Sequence, residues 1–375
     1  MEKETASKHR QISRQLLAEI AEGKYADAAR LPSEAQLVKR FGVSRPTIGR
    51  ALRDLQTDGV IERRAGSGTY VRGRVADTTA SRQLALLVPD RGSTEVFDLI
   101  CGELAGFARA QDYALLFGSP ALRERNRDLS ENDALELCEQ FVAQRVTGVF
   151  FAPFEQETPA DTVNRQIAEN LRKAGIAVVL IDRDIVPFPQ HSDFDLVGID
   201  NVTAGFLAAQ HLLKLSCRKL AFVSRPNSAP TITARIAGAR EALAQSGLTP
   251  HADWIHVGNP EDARFAATLV ATERWDAVIC ANDLTAAQLI RSLEKNKVRV
   301  PQDLKVVGFD DAKYGTLLSV PLTTVRQPCR ELALTAFRAM IERIADPALP
   351  ARSLSLAPRV VVRESCGAYL PRTSE

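Results

Sequence analysis

The sequence has no long apolar run: nowhere in its 375 residues do the ~20 consecutive apolar positions that span a bilayer occur. Its first fourteen residues are charged throughout and lack the apolar stretch and small-residue cleavage site of an export signal. A cytoplasmic location is therefore expected, with no membrane partner. Cysteine is sparse and dispersed. Cys101, Cys138, Cys217, Cys280, Cys329 and Cys366 form no CxxC pair, and the five histidines complete no zinc-ligand pattern. Buried reduced thiols are expected, with no metal and no cofactor. Also missing are a P-loop, a GxGxxG after the first strand and a GxSxG nucleophile turn. Nothing pairs an acid with a nucleophile at glycosidase separation, so no enzyme is expected.

What is present begins with size. The length exceeds one ordinary core and implies two or three folding units, while 45% hydrophobic and 25% charged residues fit a soluble globular chain. The formal net charge of +2 conceals an asymmetry: residues 1–74 hold 15 Lys/Arg against 9 Asp/Glu, and the rest hold 33 against 37. A basic head on a mildly acidic body suggests that the head meets a polyanion.

Ile12, Leu16, Leu17 and Ile20 follow helical spacing and Gly23 closes the stretch. Ser33 is placed to cap a second helix whose inner face is Ala35, Leu37, Val38 and Phe41; Gly42 then supplies a tight turn. Ser44 caps a third helix with Pro46 in its first turn, and Ile48, Ala51, Leu52 and Leu55 form its buried stripe. Arg45, Thr47, Arg50 and Arg53 are left to point elsewhere. Two short helices about a glycine turn make a helix-turn-helix. The segments 60–64 and 69–71 around Ala65-Gly66-Ser67-Gly68 read as a hairpin wing, its small tip free to approach phosphates.

LPSEAQLVKRFGVSRPTIGRALRDLQTDGVIERRAGSGTYV resembles the winged helix-turn-helix of the GntR family. The resemblance implies binding to a double-stranded DNA operator through Ser33, Ser44, Arg45, Thr47, Arg50, Arg53, Arg63, Arg64, Gly66 and Gly68. Arg45 and Thr47 are the base-edge candidates, since Arg can bind guanine with two hydrogen bonds; Arg50, Arg53, Arg63 and Arg64 suit phosphate or only water. Two positions depart from the family: Ala35 stands where Arg often follows LPSE, and Gly49 where the recognition helix often carries Arg. A different operator sequence is implied. Gly49 also weakens the helix by about 1 kcal/mol relative to Ala.

Residues 1–73 are thus expected to form the DNA-binding domain, and 74–83, small and polar, a linker. Beyond it, apolar runs at 84–88, 113–117, 148–151, 177–181, 220–223, 277–280 and 305–309 alternate with amphipathic helical stretches. That pattern gives an α/β class of parallel sheets covered on both faces, and its length calls for two lobes. Ligands bind such sheets outside the strand carboxyl ends, here between lobes. VVLIDRD, VGIDNVTAGFLAAQHLL, RKLAFVS, ARIAGAREAL, DAVICANDLTAAQLIRSL, KVVGFDDA, LTTVRQP and VVVRES occur in the order seen in the effector domain of LacI-type repressors, itself similar to periplasmic sugar-binding proteins. The resemblance implies an effector domain over 84–366, with lobe one at 84–200 and 327–350, lobe two at 201–326 and 351–366, and a tail at 367–375. Its crossovers fall near Asp200-Asn201, Arg326-Gln327 and Pro350. Ser216-Cys217 departs from the usual Gly-led turn. A GntR-type head on a LacI-type body is similar to arabinose-responsive repressors, which leaves the effector open.

Carboxylates, amides and Arg exchange hydrogen bonds with sugar hydroxyls, and a ring covers the apolar sugar face. Asp182, Asn282 and Asp310 end predicted strands, and Arg235 matches the family's ligand arginine. Asp90 and Phe97 lie in the first strand-helix connection, where Phe97 equally fits ordinary core. Arg183 and Gln327 are adjacent candidates, whereas Asp283 and Asp311 read as helix-capping and structural. Ala152 stands where some relatives carry a polar contact. The function expected is a sequence-specific transcription regulator, a repressor of sugar-use genes released by a small sugar-like ligand, acting as a homodimer on a pseudo-palindrome. A nucleoside or other effector and an activating role stay open. A solute-binding protein without gene control is the other class, against which the basic head speaks.

Overall fold

The computed structural model describes residues 2–21, 24–25, 31–57, 60–64, 68–71, 82–88, 95–117, 130–155 and 160–370. The chain divides into two compact units, residues 1–81 and 82–375.

The first unit holds α1 (Glu2–Ala21), α2 (Glu34–Phe41), α3 (Arg45–Thr57) and an antiparallel pair, β1 (Ile61–Arg64) and β2 (Gly68–Val71). Ile12, Leu16 and Ile20 of α1 bury against Leu37 of α2 and against Ile48, Leu52 and Leu55 of α3. Ser33 and Gln36 form a reciprocal capping box at the start of α2, and Gly42 ends it at φ +62°, where any side chain would be strained. A buried carboxylate locks α1 to α2: Glu19 accepts from Arg40 and from the Tyr25 hydroxyl.

In the second unit, β3 (Gln83–Leu87), α4 (Glu95–Ala110), β4 (Ala114–Phe117), α5 (Glu131–Ala143), β5 (Gly148–Phe151), α6 (Ala160–Lys173), β6 (Ala177–Ile181) and β7 (Asp195–Ile199) begin lobe one. Lobe two holds α7 (Asn201–Lys214), β8 (Leu220–Ser224), α8 (Pro230–Gln245), β9 (Ile255–Val257), α9 (Ala263–Thr272), β10 (Ala277–Cys280), α10 (Asp283–Lys295), β11 (Lys305–Asp310) and β12 (Thr323–Arg326). The chain then returns through α11 (Cys329–Ala345) and β13 (Ser353–Leu356) and ends in β14 (Arg359–Val361). The sheet orders are β13-β7-β6-β5-β3-β4 and β14-β12-β11-β10-β8-β9. All pairings are parallel except β12 with β14. The central strands are buried along their length, as their unbroken apolar runs require.

One expected lobe boundary is corrected. The segment from 351 does not pass directly to lobe two: β13 pairs with β7 from Ser353–Leu196 to Leu356–Ile199, so the third crossover follows Leu356 instead of Pro350. The cause is a fully buried carboxylate. Asp195 in β7 binds the guanidinium groups of both Arg343 in α11 and Arg352 just before β13, which anchors the returning chain to lobe one. The strands β7, β9, β12, β13 and β14 lie outside the apolar runs read from the sequence. Gly367–Leu370, expected as tail, fold into a turn bonded back to Glu364. Ser216, standing where Gly is usual, takes φ +66°. All six cysteines are free, five of them buried, and burial pushes the Cys138 and Cys217 thiols up to about 11.

Candidate effector cleft and DNA-contact helix

On α3 the buried stripe fixes what remains outside. Arg45 is 78% exposed and reaches only Glu34, at 3.3 Å; Arg50 is exposed, and Arg53 Nε bonds the Gly49 carbonyl at 3.2 Å. Gly49 lies between Arg45 and Arg53 on the open face, where an added Cβ would meet nothing within 4 Å. Thr47 does not join this set. It is 5% exposed, and its hydroxyl lies 2.8 Å from that of Ser44, so in the DNA-free chain it closes the first turn of α3. Ser33 is spent on its capping box. Gly68 pairs with Arg64 across the wing. The side chains of Arg63 and Arg64, and Gly66 altogether, lie outside the described residues.

The effector candidates lie on separate elements of both lobes, yet five of them meet. Phe97, Asp182, Arg235, Asn282 and Asp310 line one cavity of about 40 Å³ between the lobes. The sixth, Asp90, lies outside the described residues. Asp182 follows β6 and Asp310 ends β11, both with positive φ, at +69° and +117°. Such residues cost roughly 1–3 kcal/mol, a strain that clusters at ligand sites.

Arg235 sits inside α8, in its second turn, and is 4% exposed. Its Nε donates to Asn201 Oδ1 at 2.9 Å, its Nη1 donates to the Ala281 carbonyl at 2.6 Å, and its guanidinium lies 4.5 Å from the Phe309 ring centre. Glycines permit this placement. A Cβ on Gly205 of α7 would stand 1.8 Å from the Arg235 carbonyl oxygen, and one on Gly238 of α8 would stand 1.8 Å from the Val202 carbonyl oxygen. The two helices therefore cross backbone to backbone, which carries Arg235 to the cleft.

Burial pushes the Asp310 carboxyl up to about 6; Asp182 and Glu155 add to the rise, while Arg235 and the hydrogen bond from Gln327 oppose it. That bond, from Gln327 Nε2, is 2.7 Å long. Asn282 caps α10 through the Thr285 amide, so the helix is not capped by Asp283. Asp283 is instead fully buried, accepting from the Thr324 hydroxyl and the Ala312 amide, and burial raises its carboxyl well above the usual range. Asp311 is tied to Arg326 and Arg363, which fits its structural reading. Across the cleft, the Lys313 amide donates to Glu95 at 2.6 Å, joining lobe two to α4 of lobe one.

Arg183 and Gln327, the adjacent candidates, also line the cavity, as do Glu155 and Thr231, which no sequence motif marks. Arg183 is buried between Asp182, Glu155 and the Phe97 ring. Thr231 carries no local signal; only the first turn of α8 brings it in.

Residues 8–71 match the model of the gntR family of bacterial regulatory proteins, and residues 209–366 match that of a periplasmic-binding-protein-like domain. An arabinose metabolism transcriptional repressor of Halalkalibacterium halodurans is 25% identical over 378 residues, covering 96% of each chain. The HTH-type transcriptional repressor PurR of Vibrio campbellii is 33% identical over 181 residues, 47% of this chain and 54% of its own. Among solved structures, a transcriptional regulator CelR–cellobiose complex superposes with a TM-score of 0.65 at 22% identity, over 86% of this chain and 91% of its own. These likenesses are to transcription regulators, and among the described residues no helix is long and apolar enough to cross a membrane. The chain thus joins a helix-turn-helix segment that matches the gntR family of bacterial regulatory proteins to a two-lobed domain that matches the periplasmic-binding-protein-like model.

Proposed function

We propose that the protein is an effector-responsive transcription repressor, held on a DNA operator by its winged helix-turn-helix and released when a small sugar-like ligand binds between the lobes. The observation that carries this reading is the convergence of Asp182, Arg235, Asn282 and Asp310, from four elements and both lobes, on one cavity. Carboxylate, amide and guanidinium groups together supply the acceptors and planar donors that ring hydroxyls need. The full-length likeness to arabinose metabolism repressors supports a pentose or related sugar. Ligand bridging both lobes stabilises one lobe arrangement, and DNA affinity shifts by the difference in ligand affinity between arrangements.

The working unit is a homodimer in the cytoplasm on a pseudo-palindromic site, with no catalytic turnover of the ligand. The test is selection of bound duplexes from a random pool, followed by titration of the retained complex with pentoses, hexoses, sugar acids and nucleosides. A sugar that releases the duplex supports the reading. A sugar that tightens binding reverses the sign of regulation, and release by nucleosides alone replaces the effector class.

A further inference from the structure

A second cavity of about 190 Å³ adjoins the first and shares with it Asp182, Arg183 and Thr231. We propose that the two cavities are adjoining subsites for one glycoside, the inner taking a sugar ring's hydroxyls and the outer taking a second ring linked to it. The inference rests on the sugar-effector reading and deepens it.

Size is the first argument. At roughly 10–15 Å³ of cavity per water, the inner chamber of about 40 Å³ has room for about three waters, less than one pyranose. The outer chamber of about 190 Å³ has room for more than ten by the same measure. A sugar held by the inner polar groups must therefore extend toward the larger space or force the lobes apart.

Lining is the second argument. Asp182, Arg183, Arg235, Asn282, Asp310 and Gln327 bring hydrogen-bonding groups to the inner chamber, beside the apolar Val96, Ala229 and Ile232. Its one aromatic ring, Phe97, is already covered by the Arg183 guanidinium at 5.5 Å. The outer chamber also has polar lining, including Asp184, His191 and Asp200, but it adds a broader apolar wall of Val186, Phe188, Leu196, Ile199, Val202 and Pro230, with Ser353 and Ser355 beside it. Phe188 and Val202 are among the large apolar side chains left exposed in the described residues, and they come from opposite lobes to the same cavity. A free aromatic face beside hydroxyl groups is what the apolar face of a second ring requires.

The outer chamber also touches two of the three segments at the lobe junction, Ile199–Asp200–Asn201 and β13. A second ring there would contact Phe188 on lobe one and Val202 on lobe two at once. It would add to the lobe coupling that the inner groups already provide.

The experiment measures calorimetric affinity of the full chain for L-arabinose, D-xylose, D-glucose and D-galactose, each beside a disaccharide and a phenyl glycoside built on it. At least one two-ring ligand should bind ten-fold or more tightly than its monosaccharide, with one molecule per chain. Phe188→Ala and Val202→Asp, both at exposed positions, should each abolish that gain while changing monosaccharide affinity less than two-fold. A monosaccharide that binds as tightly as its two-ring partners, or a gain that survives both variants, overturns the inference and leaves the sugar-effector reading standing. If no member of the panel binds, both fall together.

Discussion

Replacing Arg235 should separate ligand sensing from DNA binding. Arg235→Ala removes two buried hydrogen bonds, at 2.9 and 2.6 Å, and a guanidinium stacked 4.5 Å from Phe309. It also removes the cation that opposes the rise in the Asp310 carboxyl. A hydrogen bond involving a charged group contributes about 1.5–3 kcal/mol net. Loss of one such bond to ligand therefore weakens binding by roughly 10- to 150-fold, and a two-bond fork would cost more. The orphaned Asn201 and Ala281 acceptors add a stability cost of about 1–3 kcal/mol each, confined to the effector unit. Arg235→Lys tests the alternative that only charge matters: a point charge cannot reproduce the fork, so most of the loss should remain. Calorimetry gives the ligand affinity, and anisotropy on a labelled operator gives DNA affinity. A normal ligand response in Arg235→Ala, in protein shown to be folded, would refute the assignment.

Three further outcomes follow from the geometry. Arg45→Ala should weaken discrimination between operator and random duplex by about 5- to 150-fold, a loss of about 1–3 kcal/mol, while the melting temperature holds because the side chain is exposed and pairs with Glu34; unchanged operator affinity would remove Arg45 from the base-reading set. Gly205→Ala places a methyl 1.8 Å from the Arg235 carbonyl oxygen, so α7 and α8 must separate; a loss of about 1–3 kcal/mol in the effector unit with weakened ligand binding is expected, and an isostable variant with full affinity would show that the crossing is not tight. The ligand affinity should fall as pH drops through about 6, where Asp310 takes up its proton, by about ten-fold at one unit below. The stability sign is opposite: the carboxyl is raised above its ordinary value, so its contribution is present below that value and lost as pH rises through about 6. Asp310→Asn should flatten both trends, and a binding profile that keeps its slope in that variant would contradict the assignment.

Much of this was legible in the chain because local rules carry it. The capping box at Ser33, the turn at Gly42 and the apolar stripe of α3 depend on neighbours within a few residues, and the sheet strands announce themselves as unbroken apolar runs. Asp182, Asn282 and Asp310 were readable because strand ends converge in this class of fold. What escaped depends on distant partners. β13 lies in lobe one although the family resemblance places 351–366 in lobe two, because its place is set by Asp195, more than 150 residues away along the chain, through Arg343 and Arg352. An Arg/Thr-rich helix start gives no sign that the Thr47 hydroxyl lies against that of Ser44. Thr231 and Glu155 sit in segments without a pattern, and only the meeting of two lobes gives them a common wall.

The central claim is that one chain couples a bound sugar to the release of DNA. Its most direct measurement is anisotropy of the selected operator duplex bound to the full chain during titration with the sugar that the calorimetric panel identifies. Wild-type protein is predicted to release the duplex with a midpoint tracking the calorimetric Kd and to return the sugar chemically unchanged, while Arg235→Ala stays bound at the same sugar concentration. A sugar that saturates the cleft and leaves operator affinity unaltered would contradict it.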